Sequence, residues 1–188
     1  TFMRPLSFYR RAVELQRKYA NGHTISNCIQ TNGTLVTEEW ARFLHDEGWL
    51  VGVSIDGPQE FHDHFRRTPS GKPSWAKVRR GIDLLNRFGV EWNAMAVVNS
   101  LNADHPLDFY RFFRDELECR YLQFTPIVEP AQGGVPKLGP DCPDPVETLV
   151  TPESVRPRQW GQFLCTMFDE WVAHGDVGEM FVQIFDAT

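Results

Sequence analysis

No stretch of this sequence stays apolar long enough to cross a bilayer. No leader pattern opens it, so the default compartment is the cytoplasm and no membrane partner is expected. Cysteine is sparse: Cys28, Cys119, Cys142 and Cys165 are scattered along the chain. None lies at CxxC or CxxxC spacing from another, which excludes a local metal knuckle or redox pair. On spacing, the expected metal ligands are none. Cys28 and Cys165 sit among apolar neighbours and are expected in the core, whereas Cys142 is expected at the surface. A nucleophile elbow, a P-loop and a dinucleotide fingerprint are also missing. The net charge is -6 over 188 residues. Read as an average, it shows no basic block and argues against nucleic acid, though a local basic patch can hide in an acidic mean.

What is present is an alternation of helical and strand patterns. Phe8, Ala12, Leu15 and Tyr19 are spaced as one apolar helical stripe. A strand is expected over about 23–30, then a helix capped by Thr37 that buries Trp40, Phe43 and Leu44. Strands over 49–54, 91–98 and 120–125 follow, separated by helices starting at Ser74 and Asp104. In the third strand Trp92, Ala94 and Ala96 fall on one face. A Pro/Gly-rich stretch over about 126–158 holds eight of the thirteen prolines. Its length suggests a lid or a disordered segment. A helix over 159–174 and a last strand over 180–185 close the pattern. Such alternation predicts an α/β fold with parallel strands and right-handed crossovers. A full eight-stranded barrel takes about 250 residues, so an open sheet, a partial barrel or a fragment is expected.

Ligands in parallel α/β folds sit at the C-terminal ends of the strands. That rule selects Gln30 to Thr34, Ser54 to Pro58, Val98 and Asn99, and Gln123 to Glu129. Taken singly, Asn32-Gly33 and Asp56-Gly57 are ordinary turns. Their repetition at successive strand ends favours a site. His62 and His64 could bind a metal only with further ligands, which no spacing supplies. Arg66 is a better candidate, as a fork for a carboxylate or phosphate. Asp56 near His62 could serve acid–base work.

Five segments in order carry a resemblance. They are Ile29 to Thr34, Val51 to Pro58, His62 to Arg66, Val97 to Asn99 and Tyr121 to Pro126. Together they resemble the middle of an anaerobic sulfatase-maturating enzyme. That family belongs to the radical S-adenosylmethionine (SAM) superfamily and carries a C-terminal extension with auxiliary clusters. The resemblance implies a partial (β/α)6, TIM-like barrel, here truncated at both ends. It implies one incomplete radical SAM core over 1–188, with an insertion at about 126–158. It also implies an oxidoreductase that uses SAM and 4Fe-4S clusters. Such an enzyme oxidises a cysteine or serine of a sulfatase to Cα-formylglycine through a deoxyadenosyl radical, with an electron donor as second partner. By position, Ser54 matches the residue that bonds the SAM ribose and Arg66 the one that holds its carboxylate. Val128 matches a residue against the adenine, and Gln30, Thr31 and Asn32 match polar residues facing the cavity.

The chain departs from the family pattern in what it does not contain. The CxxxCxxC motif of the radical-generating cluster is absent, as is a Gly-Gly-Glu-Pro stretch. The family's catalytic residues are therefore expected outside this chain, which is expected to be a central, inactive fragment. Open strand edges would then favour self-association. Two other readings stay open: a maturase of another peptide, and a non-catalytic binding domain without clusters. A phosphate-binding barrel enzyme is a weaker third, because 126–139 makes a poor phosphate loop.

Overall fold

A computed structural model describes residues 2–131 and 150–186. Cys142 and most of the proline-rich stretch therefore lie outside the described residues. The chain divides into two compact units, Thr1–Ile55 with His62–Met95 and Asp56–Phe61 with Ala96–Thr188.

In the first unit, α1 (Leu6–Tyr19) precedes β1 (Cys28–Thr31), α2 (Glu38–Asp46) and β2 (Leu50–Ser54). The short α3 (Gln59–Phe65) enters it at His62, followed by α4 (Trp75–Arg87) and the start of β3 (Trp92–Val98). β1 and β2 pair in parallel with Cys28 opposite Leu50 and Thr31 opposite Val53. β2 and β3 pair likewise, Val51 opposite Trp92 and Ser54 opposite Met95. α2 forms where expected. The Thr37 side chain accepts from Trp40 N, and Trp40, Phe43 and Leu44 are buried.

Three expectations for this unit need correction. β1 starts at Cys28 rather than near 23, because its register with β2 begins there. The preceding Asn27 is instead held by a reciprocal amide pair with Gln16. The α1 stripe of Phe8, Leu15 and Tyr19 faces outward, and Val13 is the helix's buried residue. The neighbouring stripe docks, with Tyr9 edge-on to Trp40 at 5.0 Å. Adjacent stripes of similar apolarity are not separable by spacing alone. Cys28 is exposed, as is Cys165 in the second unit, because both point away from the buried faces of their elements; Cys119 is buried.

The second unit holds the end of β3, a short 3-10 turn (Asn102–Asp104) and α5 (Pro106–Arg111). The expected single helix over 104–117 is thus three pieces, since α5 runs on as a π turn over Phe112–Glu116. β4 (Tyr121–Pro126), α6 (Pro157–His174), β5 (Phe181–Val182) and α7 (Gln183–Asp186) follow. The last strand is two residues long because the chain turns helical at Gln183. β4 and β5 are parallel, Tyr121 opposite Phe181. Because β3 runs through both units, the strands follow chain order, β1-β2-β3-β4-β5. Phe109, Phe113, Phe124 and Phe163 form the aromatic core, with ring centroids 4.9 to 6.2 Å apart along their contacts. α6 buries Phe163, Met167 and Trp171, while its Phe168 and Val172 stay exposed.

An ion network ties α5 and its π turn to α6. Arg111 Nε donates to Glu170 at 2.9 Å and Arg114 Nε to Asp115 at 2.6 Å. The hydrogen bonds from Arg111 and Arg114 hold the carboxyls of Glu170 and Asp115 below their usual values. Depressed carboxyls stabilise the fold above their unfolded values, about pH 4, and that contribution is lost as pH falls through their folded values. Urea titrations of Glu170→Gln should therefore show a shallower loss of stability between neutral and acid pH than wild type. Equal acid slopes would remove the network from the account.

Candidate functional site

The strands of the first unit have two unlike faces. Val51, Val53, Trp92 and Ala94 point into the core and are buried. Gln30, Gly52, Ser54, Asn93 and Met95 alternate with them on the opposite face, as period-2 side-chain direction requires. Gly52 leaves the room that Met95, Asn93 and Gln30 fill on that face. A Cβ there would stand 2.9 Å from Met95 Sδ and 3.7 Å from Gln30 Cγ. At the C-terminal end of this face lies a cleft of about 290 Å³. Asn32 and Thr34 from beyond β1, Ser54 at the end of β2, Arg66 and Arg67 beyond α3, and Ser74, Lys77 and Val78 at the start of α4 contribute to its wall.

The β1 tip is rigid for local reasons. Thr31 is buried, and its Oγ1 accepts from Gly33 N at 3.2 Å. The Asn32 side chain accepts from both Thr34 N and Thr34 Oγ1. Gly33 adopts φ 69°, a turn geometry a Cβ would strain.

Arg66 is placed by a clasp. Its N–H donates to His62 O at 2.8 Å, ending α3, and its carbonyl accepts from Ser74 Oγ at 2.6 Å. Ser74 Oγ also lies 3.0 Å from His62 Nε2. Asp63 Oδ1 accepts from Ser74 N and Trp75 N at 2.8 and 2.9 Å. Ser74 thus does not cap α4 with its own side chain, as its sequence position suggests; Asp63 does so from α3. Ser74→Ala should loosen the 66–73 loop by about 1 kcal/mol, the usual net worth of a hydrogen bond. Trypsin should then cut after Arg66 and Arg67 faster than in wild type, and unchanged cleavage would refute the clasp.

The sequence candidates separate as follows. Asn32, Ser54 and Arg66 line one cleft. Thr31 is buried beside it and props the turn. Gln30 is exposed and lies further back on the same sheet face as Ser54. Val128 lies beyond β4 in the second unit and is exposed. Asp56 is buried, and its Oδ1 accepts from Val97 N at 2.8 Å, so it braces backbone. His62 is buried and His64 exposed, so the two do not converge as ligands. Spacing missed Lys77. The position of a helix start directly after a cationic loop was the available signal.

Chemically, the cleft suits a ligand with an anionic end and hydrogen-bonding groups. Arg66, Arg67 and Lys77 line it without any Asp or Glu, beside the polar Ser54, Asn32 and Thr34 and the apolar Leu35, Phe65 and Val78. The carboxylate and ribose of SAM fit that set. An iron–sulfur cluster does not fit the described residues. Among them no three of His, Cys, Asp or Glu gather as metal ligands.

Comparison with known proteins places the chain in a family. The family model described as Radical SAM superfamily matches residues 4–113. The chain is 59% identical to a serine-type anaerobic sulfatase-maturating enzyme of Bacteroides thetaiotaomicron, over 100% of this chain and 45% of that protein. It is 35% identical to a cysteine-type enzyme of Clostridium novyi, over 88% of this chain and 41% of the relative. Among solved structures, native anSMEcpe with bound AdoMet and Cp18Cys peptide superposes with a TM-score of 0.82 at 33% identity. That match covers 97% of this chain and 47% of the other. The chain thus spans less than half the length of these relatives. The fold is the α/β partial barrel of that solved neighbour, with five parallel strands alternating with helices. The chain belongs to the radical SAM superfamily, within which it is similar to the anaerobic sulfatase-maturating enzymes.

Proposed function

We propose that this chain is the SAM-holding part of an anaerobic sulfatase-maturating enzyme of the serine type. The observation that carries the reading is the convergence of Ser54, Asn32 and Arg66 on one carboxylate-free, cation-lined cleft. In this reading Arg66 forks the methionyl carboxylate and the Ser54 hydroxyl bonds the ribose. Gln30 faces the reaction space from the same sheet face, Thr31 and Asn32 fix the wall, and Val128 packs against the adenine. When bound and reductively cleaved, SAM supplies a carbon radical that removes hydrogen from the target side chain. The protein's own residues position the cofactor and keep water from it. The overall change takes two electrons and two protons from a serine CH2OH and leaves an aldehyde. The serine preference is supported by the 59% identity to a serine-type relative. A sulfatase segment and an electron donor are the implied partners.

The test is turnover by the longer protein that contains this chain, under anaerobic reduction. SAM-dependent deoxyadenosine should form together with an aldehyde on a serine-bearing sulfatase peptide. A protein that gives no deoxyadenosine, or that modifies a peptide unrelated to sulfatases, would end the reading. The isolated chain is proposed to give no product, since its described residues assemble no cluster ligands. Deoxyadenosine from that chain alone would refute this.

A further inference from the structure

The acidic average of the chain conceals a basic segment, which corrects the impression that there is none. Residues 66–80 contain Arg66, Arg67, Lys72, Lys77, Arg79 and Arg80 and not one Asp or Glu, in a chain of net charge -6. All lie in the first unit, on the cleft wall and the hairpin and helix beside it. Arg67 and Pro73 form an antiparallel bridge that closes the hairpin, with Lys72 next to its Gly71 turn. Lys77 and Arg80 are i,i+3 neighbours on α4. Arg79 is matched within its helix by Asp83 at 3.0 Å. Arg67, Lys72, Lys77 and Arg80 are exposed, and among the described residues none of them pairs with a carboxylate.

We propose that Arg67, Lys72, Lys77 and Arg80 form a docking surface for the acidic face of a protein partner, seated over the mouth of the cleft. The inference rests on the preceding reading only in assigning Arg66 to the cofactor. SAM brings one carboxylate, offset by its own sulfonium, so one arginine answers it and four cations remain. A small polyanion would need those groups to surround one cavity. They do not: Lys72 and Arg80 stand outside the cleft lining, on the hairpin tip and the second turn of α4. A spread of this kind matches a surface carrying several carboxylates. It contributes chiefly to the rate and selectivity of encounter, because rim charges steer partners more than they bind them.

The test uses the full chain and fluorescein-labelled poly-L-glutamate, followed by anisotropy. Wild type should bind it in about 0.01 M salt and release it in about 0.15 M, as the screening length falls from about 30 Å to about 8 Å. Lys72→Glu with Arg80→Glu should weaken binding about tenfold or more, since like charges then face each other. Lys18→Glu with Arg4→Glu, on and before α1, should leave binding as in wild type. If the reversed pair does not fold, Lys72→Gln with Arg80→Gln gives the same reading with a smaller loss. Binding indifferent to salt, or equal in the Lys72/Arg80 variant and wild type, overturns the proposal. Displacement of the polymer by inorganic triphosphate at matched charge also overturns it, in favour of a compact anion site. SAM does not enter the measurement, so failure of the cofactor assignment would leave these outcomes unchanged.

Discussion

Arg66→Ala should weaken SAM binding by the longer protein by about 30- to 700-fold, equivalent to about 2 to 4 kcal/mol. The size follows from how the arginine is held. It is half-buried, and its backbone is fixed at both ends, by His62 O and by Ser74 Oγ. With the backbone already fixed, only the side-chain rotamers must be ordered when a carboxylate arrives, and the charge-assisted fork supplies the affinity. Arg66→Lys keeps the charge but loses the planar fork, and its affinity should fall between the two. Anaerobic calorimetry with SAM reads the result directly. Equal affinities for wild type and Arg66→Ala would remove Arg66 from the site, while unchanged melting would show that the loss is not unfolding. A uniform loss in Arg66→Lys and Arg66→Ala would argue that the fork, not the charge, is what the ligand reads.

Gly81→Ala should destabilise the chain by about 3 kcal/mol, the upper end of overpacking costs. At most other helix-interior positions this substitution gains up to about 1 kcal/mol. Here an added Cβ would stand 2.3 Å from Gly33 O and 3.1 Å from Gly33 C. Both atoms belong to backbone, so no rotamer can yield. Either α4 retreats or the Asn32-to-Thr34 turn does, and the latter forms part of the cleft wall. For a chain of this size the change lowers the melting temperature by about 6 to 12 °C. Gly161 in α6 provides the contrast: nothing lies within 4 Å of its Cβ position. Gly161→Ala should be neutral or stabilising, by up to about 1 kcal/mol. A Gly81→Ala protein that melts with wild type would show that the helix sits further from the turn than the structure places it.

The parts of the fold that were legible in sequence are those with one dominant local cause. β3 alternates Trp92, Ala94 and Ala96 against Asn93, Met95 and Val97, and its burial alternates in step. α2 carries its own cap and one clear apolar face. α1 carries two adjacent apolar stripes, and only tertiary packing on Trp40 decides between them. The π turn at Phe112–Glu116 has no spacing signature, because the residues that bury it, Phe112 and Phe113, would also suit an α-helix. The site divides the same way. Ser54 and Asn32 follow from the strand-end rule, and Arg66 from the chemistry of a fork. The clasp does not follow, since it joins Asp63 to Ser74 and Trp75, eleven and twelve positions further along the chain. Nor does the role of Lys77, which depends on where α4 starts in space rather than on its neighbours in sequence.

The aromatic packing gives each unit its own optical signature. Trp40 and Trp49 stand beside Tyr9 and Phe43 in the first unit. In the second, Trp160 stacks on Phe163 at 11° while Trp171 meets Phe185. Indoles locked in asymmetric ring clusters contribute near-ultraviolet dichroism that disappears when their packing melts. Replacing the indoles of one unit with phenylalanine would therefore leave a chain whose spectrum tracks the other, and the order in which the two halves lose their tertiary packing becomes a measurable quantity.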